Sequence, residues 1–236
     1  MTDNINLQEL VRRAFQSEID MGMGEAIIQK RISQPEQSIV DTSETTQSTS
    51  YKSLDEHFQA ICNCQKCSLG KTRKNFVYGI GNPHADLLII GEAPGAKEDE
   101  LGEPFVGASG ALLDKMLAAI QLDRQTVYIA NILKCRPPDN RDPLPEEREL
   151  CFPYLHEQID MIKPKLICTF GLVSSQALLN TTSSLGQLRN RWHEFRGIPV
   201  MVTYHPALLL RNPNFKRDAW EDLKKLKVRY ESLRQN

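Results

Sequence analysis

The chain has 236 residues, of which 29 are Lys or Arg and 30 are Asp or Glu, so its formal net charge is −1. This length suits one α/β domain with an appendage, and the balanced charge excludes binding to a polyanion through net charge alone. No apolar stretch approaches the roughly 20 residues that span a bilayer, and the start MTDNINLQELVRR lacks the pattern of an export signal. We therefore expect a cytoplasmic protein in a reducing compartment, with no membrane partner.

The first part of the chain differs in composition from the rest. Apolar residues recur at helical spacing between Leu7 and Ile27, which predicts a helical appendage over residues 1–32. Residues 33–53 are rich in Ser, Thr and Gln and poor in apolar residues, which is typical of a flexible linker. The main domain is then expected over residues 54–236.

In the main domain, short apolar runs alternate with amphipathic stretches. The continuous apolarity of the runs favours strands of a mostly parallel sheet that is covered on both faces, and ligands of such sheets bind at the carboxyl ends of the strands. Three loops leave those ends, at residues 91–107, 131–140 and 204–213. The predicted strands are 86–90, 126–130, 165–169 and 198–203, and the predicted helices are about 109–120, 146–162, 172–180 and 215–233.

Four cysteines have the spacing of a thiolate site. Cys64-x2-Cys67 is followed by Cys135 and Cys151 after gaps of 67 and 15 residues. In a reducing compartment a metal or an iron–sulfur centre explains them better than disulfides, and four protein thiolates indicate a structural role. Spacing alone leaves zinc and iron–sulfur open. Cys168, in the apolar strand KLICT, is expected in the core, whereas Cys62 is a further thiol that could compete as a ligand.

Single residues in the three loops are candidates for ligand binding. The turn Gly91–Gly95 lets a ligand approach the backbone. Phe105 could stack on a flat ring or fill the core, and Asn131 could offer a donor and an acceptor to a base edge or cap a turn. His205 is a loop imidazole near Arg211. Residues 186–236 carry 11 basic and 5 acidic side chains, which suits either a phosphate backbone or a solvated basic helix.

Four motifs occur in a characteristic order: GEAPG-x2-ED, GEPFVG-x2-G-x-LLD, YIANILKCRPP-x-NR-x-P and HPA-x-LLR. Together with the cysteine spacing, they resemble the family 4 uracil-DNA glycosylases over roughly residues 60–230. The resemblance implies a three-layer α/β/α sandwich with a short, mostly parallel sheet. It also implies a monomer that excises uracil from single- or double-stranded DNA and leaves an abasic site. The implied cofactor is a [4Fe–4S] cluster on Cys64, Cys67, Cys135 and Cys151, and residues 1–53 could serve a protein partner.

The resemblance also assigns roles within the three loops. Phe105 would stack on the flipped uracil, Asn131 would read its O4 and N3–H edge, and His205 would stabilise O2 as the bond breaks. The turn at Glu92 and Ala93 would line the pocket and place the water. Glu98 is the nearest carboxylate for water activation, with Glu92 and Asp99 as competitors. The DNA contacts would come from Arg136, from a wedge formed by Leu208 and Leu209, and from Arg211.

Two other functions fit parts of the sequence. One is a zinc-stabilised module that binds nucleic acid without catalysis. The other is a phosphate-ester enzyme, with Glu92, Glu98 and Asp99 as ligands of Mg²⁺.

Overall fold

A six-stranded sheet is the central layer of the part of the chain that the computed structural model describes, residues 51–234. The predicted appendage at 1–32 and nearly all of the predicted linker at 33–53 lie outside the described residues. The strands are β1 (Ile80–Gly81), β2 (Leu87–Gly91), β3 (Tyr128–Asn131), β4 (Leu166–Phe170), β5 (Trp192–Phe195) and β6 (Ile198–Thr203).

The strand order is β1-β3-β2-β4-β6-β5. The four inner strands are parallel, while β1 and β5 pair antiparallel at the two edges. The predicted mostly parallel sheet is confirmed, but the two edge strands were not predicted. β1 has only two residues, and β5 is partly exposed, so neither has the continuous apolarity of a buried strand.

Helices cover both faces of the sheet. The α-helices are α1 (Leu54–Ile61), α2 (Leu69–Thr72), α3 (Ala96–Leu101), α4 (Ala108–Ala119), α5 (Pro145–Ile162), α6 (Leu172–Leu179), α7 (Leu185–Leu188), α8 (Pro206–Arg211) and α9 (Lys216–Arg234). The four predicted helices correspond to α4, α5, α6 and α9, with bounds that agree within a few residues.

The side chains of the inner strands alternate between two apolar cores, as the two-residue period of a strand requires. Leu87 and Ile89 of β2 pack in the core that α4 and α9 cover. Leu88 and Ile90 pack in the core that α5 and α6 cover. The three-layer α/β/α architecture is therefore confirmed, and burial on both faces explains why the strands are continuously apolar.

The segment 204–213, predicted as a loop, contains the helix α8. His205 caps this helix, because its ring nitrogen Nδ1 accepts a hydrogen bond from the amide of Ala207, and Pro206 suits the first helical position. Within residues 51–234, no helix combines the length and the apolar character needed to cross a membrane.

Candidate active site and cysteine cluster

The carboxyl ends of β2 and β3 meet at the centre of the sheet. Gly91 and Asn131 are register partners there. A Cβ atom on Gly91 would overlap the Asn131 side-chain oxygen and would lie 2.7 Å from two ring atoms of Phe105. Glycine at this position therefore lets the amide and the aromatic ring approach each other.

His205 completes this cluster from the segment that follows β6. Its ring stacks on Phe105, with a centroid separation of 5.5 Å and an interplanar angle of 28°. The structure thus brings Phe105, Asn131 and His205 together at one end of the sheet, although the three residues come from three different loops or strand ends. We call these three residues the base-site cluster.

The side chain of Asn131 presents a buried hydrogen-bond acceptor. The residue is 3 % exposed, and its Oδ1 atom has no hydrogen-bond partner among the residues that the structure describes. Leaving a buried acceptor unsatisfied costs about 1–3 kcal/mol. The main chain of Asn131 is held firmly, because the fully buried Lys134 donates from Nζ to the Asn131 carbonyl at 2.9 Å and to Gln158 Oε1 at 2.6 Å. The cost and the support together suggest a side chain arranged to receive a donor from a ligand.

His205 is a neutral imidazole in this setting. Burial, together with the positive charge of Arg211, lowers its pKa to about 4, although the carboxylate of Glu98 opposes the shift. Because Nδ1 accepts from the Ala207 amide at 3.2 Å, the ring proton of the neutral form lies on Nε2. His205 can therefore donate one hydrogen bond from Nε2 at neutral pH.

The loop that carries Phe105 is tightly constrained. Phe105 is 5 % exposed and has φ 55°, in the left-handed region that non-glycine residues rarely adopt. A Cβ on Gly110 would overlap the Phe105 carbonyl oxygen, so the start of α4 can approach the loop only at a glycine. Glu98 Oε1 accepts hydrogen bonds from the amides of Val106 and Gly107, both at 2.9 Å.

The three candidate carboxylates differ in their surroundings. Glu98 holds the Phe105 loop, and Asp99 Oδ1 accepts from the amides of Lys74 and Asn75 at 2.9 and 3.3 Å. Burial, together with the negative charge of Asp142, raises the pKa of the half-buried Glu92 to about 7, and Arg148 opposes the shift. A pKa of about 7 lets Glu92 act as a base at neutral pH. Ala93 is half-buried beside it and packs against the cysteine region.

The predicted DNA-contacting residues differ in how exposed their side chains are. Arg211 is exposed at the end of α8, and Leu208 is half-buried. The prediction that Leu209 forms part of the wedge is wrong, because Leu209 is 2 % exposed and packs in the core under α4 and α9. The exposed leucine of α8 is Leu210, at 45 %. Arg136 is half-buried and donates from Nε to Asn140 Oδ1 at 2.8 Å.

The four predicted ligand cysteines line one small cavity. Cys64 and Cys67 come from the segment after α1, Cys135 from the segment after β3 and Cys151 from α5. Three sulfurs accept hydrogen bonds: Cys135 from Arg73 Nη1 at 3.2 Å, Cys64 from the Tyr154 hydroxyl at 3.2 Å and Cys151 from the Lys134 amide at 3.3 Å.

This donor set fits a thiolate-bound metal centre, whether a single ion or an iron–sulfur cluster. Hydrogen bonds to sulfur are the outer contacts that support and tune iron–sulfur centres. Burial raises the pKa of the Cys135 and Cys151 thiols, so their thiolates need the positive charge of a metal. Within residues 51–234 no group of three or more His, Cys, Asp or Glu side chains is arranged to hold a metal ion.

The two other cysteines lie apart from this cavity. The Cys62 thiol donates to the Gln59 carbonyl at 3.6 Å, and Cys62 does not line the cavity. Cys168 is fully buried in β4, as predicted. The sequence reasoning missed the supporting role of Arg73 and Lys134, since neither side chain has a local pattern that indicates a distant partner.

Comparison with known proteins agrees with this geometry. The family model of the uracil DNA glycosylase superfamily matches residues 78–224. The chain belongs to the type-4 branch of this superfamily. A type-4 uracil-DNA glycosylase of Archaeoglobus fulgidus is 43% identical over 183 residues, which cover 74% of this chain and 92% of that protein.

More distant members of the superfamily also match. A type-4 uracil-DNA glycosylase of Thermotoga maritima is 38% identical over 72% of this chain and 90% of that protein. A type-5 uracil-DNA glycosylase of Thermus thermophilus is 32% identical over 55% of this chain and 68% of that protein. The superfamily match contains the whole of the β2 to β4 region and His205, while Cys64 and Cys67 precede it.

Proposed function

We propose that this glycosylase-family protein removes uracil from DNA by hydrolysing the bond between the base and the deoxyribose, which leaves an abasic site. The observation that carries the proposal is the buried Asn131 oxygen, which has no hydrogen-bond partner within residues 51–234 and lies beside an aromatic ring and a neutral imidazole. These three groups match a flat ring that has one N–H donor and carbonyl oxygens along its edge.

Base selection rests on Asn131. Its Oδ1 atom would accept a hydrogen bond from uracil N3–H, and its amide nitrogen would donate to O4. Cytosine carries an acceptor at N3 and a donor at position 4, so cytosine would leave the buried amide facing the wrong partners. Such a mismatch is rejected strongly because polar groups in a buried site have no water to replace the lost hydrogen bonds.

Leaving-group stabilisation is the role we assign to His205. Negative charge develops on the uracil oxygens as the bond to the sugar breaks, and a preorganised donor near O2 lowers this barrier. The Nε2–H of a neutral His205 supplies that donor without any change of protonation. Phe105 would hold the base plane and exclude water from one face.

The water that attacks the sugar requires only modest activation when the sugar cation is already forming. The sequence favoured Glu98 for this role, with Glu92 and Asp99 as alternatives. We now favour Glu92, because a carboxyl group with a pKa of about 7 is matched to base catalysis at neutral pH. Glu98 and Asp99 are instead engaged with backbone amides.

DNA would reach the site as a flipped nucleotide, because a stacked base is inaccessible, and flipping costs a few kcal/mol. We assign phosphate contacts to Arg136 and Arg211 and the wedge to the exposed side of α8, with Leu208 and Leu210. Arg211 lies at the other end of the short helix that His205 caps, so a phosphate contact there would also orient the imidazole segment.

The cluster that we propose for Cys64, Cys67, Cys135 and Cys151 is [4Fe–4S]. When bound, it would join three separate chain segments into one rigid unit. Cys135 lies four residues after Asn131, and Lys134 contacts both the Cys151 sulfur and the Asn131 carbonyl. Cluster loss should therefore disturb the base-reading end of β3.

The test uses purified holoprotein and an oligonucleotide with one uracil, followed by hot alkali. Strand scission at uracil in the presence of EDTA supports the proposal, and a matched oligonucleotide with cytosine should stay intact. If the uracil strand stays intact, the proposal is wrong, and the module that binds nucleic acid without catalysis is the function that remains. Scission that depends on added Mg²⁺ would favour the phosphate-ester enzyme.

Several expectations stay predictions. They are a cytoplasmic location, a monomer, and a protein partner for residues 1–53. Size-exclusion chromatography with light scattering tests the monomer, and a two-fold higher mass would contradict it.

A further inference from the structure

We propose that Arg124 is a positioning residue for Phe105, and that it sets the plane on which the base stacks. The inference rests on the proposed function, since Phe105 must act as the stacking ring. Arg124 lies 19 residues after Phe105 and outside the four sequence motifs. Its side chain is 26 % exposed.

The guanidinium of Arg124 binds the backbone of the Phe105 loop directly. Nη1 donates to the Pro104 carbonyl at 3.1 Å, and Nη2 donates to the Phe105 carbonyl. Nε donates to Asp114 Oδ1 at 2.6 Å, which ties the same group to α4. One side chain therefore connects the loop to the helix that follows it.

This support is needed because the loop conformation is strained. Phe105 has φ 55°, and such a conformation persists only where the surroundings hold it. Glu98 binds the amides of Val106 and Gly107, whereas Arg124 binds the carbonyls that precede them. The carboxylate of Glu98 thus binds the N–H groups of the loop, and the guanidinium of Arg124 binds its carbonyl groups.

Arg124 is itself well anchored. It follows Asp123, whose side chain accepts from the amides of Gln125 and Thr126 at 3.0 and 2.9 Å. The Thr126 hydroxyl accepts from the Asp123 amide at 3.0 Å. This turn leads directly into β3, which ends at Asn131. The turn that carries Arg124 therefore leads into the strand that carries the base-reading amide.

A phosphate contact is the competing role for an arginine of a DNA-binding protein. The geometry favours positioning, because all three nitrogens of Arg124 donate to protein oxygens. The planar fork of arginine suits two neighbouring carbonyls, and lysine cannot reproduce it.

The experiment is a double-mutant cycle with Arg124→Met, Phe105→Ala and the double variant, measured as kcat/KM for uracil release. Displacement of a positioned group by about 1 Å can cost roughly a hundredfold in rate, so we expect Arg124→Met to lose at least tenfold. In the Phe105→Ala background the same substitution should lose less than twofold, because no ring remains to be positioned. Arg124→Lys should fall between wild type and Arg124→Met.

Two controls separate the alternatives. Arg196→Met removes an exposed arginine that pairs with Asp160, and it should leave kcat/KM unchanged. The salt dependence of KM should be the same in Arg124→Met as in wild type, since a phosphate contact would lower the slope. Should Arg124→Met fold poorly, Asp114→Asn and Arg124→Lys replace it in the cycle.

Equal losses in both backgrounds, or a reduced salt slope, would overturn the inference while leaving the proposed function intact. Wild-type activity in Arg124→Met would also overturn it. Absence of uracil release from the wild-type holoprotein would instead overturn the proposed function.

Discussion

Asn131 concentrates the chemistry of this protein in one side chain. Its oxygen is buried without a partner among the described residues, while its main-chain carbonyl is held by Lys134. A buried acceptor without a hydrogen bond destabilises the folded protein, and a donor from a bound ligand offsets this cost. The unsatisfied side-chain oxygen and the firmly held main chain therefore both suit the binding of a ligand donor at Asn131.

Replacing Asn131 by Ala should lower kcat/KM for uracil release by at least a hundredfold, because the base edge would lose both hydrogen bonds. The melting temperature should stay within a few degrees of wild type, since the substitution removes a buried acceptor that has no hydrogen-bond partner in the described part of the chain. Asn82→Ala, at a turn far along the chain from the site, is the matched control. Activity within threefold of wild type would contradict the assignment.

The protonation states of Glu92 and His205 make a pH profile informative. Glu92 is protonated below its pKa of about 7 and becomes an available base above it, so kcat/KM should rise with pH through this value. His205 is already neutral there, because its pKa is about 4. The rising limb should disappear in Glu92→Gln and persist in His205→Asn. Persistence of the limb in Glu92→Gln would assign it to another group.

At the scale of secondary-structure elements, three connections at the carboxyl edge of the sheet bring the base-site cluster together. Gly91 ends β2, Asn131 ends β3, and His205 caps α8 after β6. Asn131 is placed by the end of a strand and His205 by the start of a helix. The Phe105 loop has no regular structure and is held by hydrogen bonds from its backbone to the side chains of Glu98 and Arg124. Loss of those contacts should affect catalysis before it affects the sheet.

Glu98 provides a test at this scale. If it holds the loop through the amides of Val106 and Gly107, Glu98→Gln should keep most activity, because a side-chain carbonyl still accepts these hydrogen bonds. Glu98→Ala should lose about 1–3 kcal/mol of stability and at least tenfold in kcat/KM. A water-activating Glu98 would give equal losses in both variants, which thermal unfolding and steady-state kinetics would reveal.

The sequence predicted the inner strands well and the site supports poorly. Continuous apolar runs such as Leu87–Ile90 identify strands that are buried on both faces. The edge strand at Trp192–Phe195 has no such run, and α8 begins at a histidine cap that resembled a loop residue. The sequence predicted Leu209 as part of the wedge, and the packing of α8 against the core places this leucine in the interior instead. Arg124 and Lys134 bind backbone carbonyls through their long side chains. Such contacts leave no periodic pattern in the sequence, so they could not be predicted from it.

At the scale of the whole molecule, the cysteine cluster and the base-site cluster are connected through the segment 131–135. Lys134 contacts Asn131 and Cys151, and Cys135 follows it directly. This connection supports a structural role for the cluster that we propose. The cluster would act by keeping the end of β3 and the start of α5 together.

Cys135→Ala should remove iron, lower the soluble yield and reduce uracil release. Cys62→Ala and Cys168→Ala should keep wild-type iron content, because neither thiol lines the cluster cavity. Iron and sulfide analysis with visible absorption measures the outcome. A colourless wild-type protein with one equivalent of zinc would contradict the iron–sulfur proposal, and loss of iron in Cys62→Ala would contradict the ligand set.

The most direct measurement is a crystal structure of the holoprotein with free uracil. We expect the uracil ring to lie on Phe105, with N3 within hydrogen-bond distance of Asn131 Oδ1 and O2 facing His205 Nε2. Uracil bound elsewhere, or bound here with Asn131 turned away from its edge, would contradict the account.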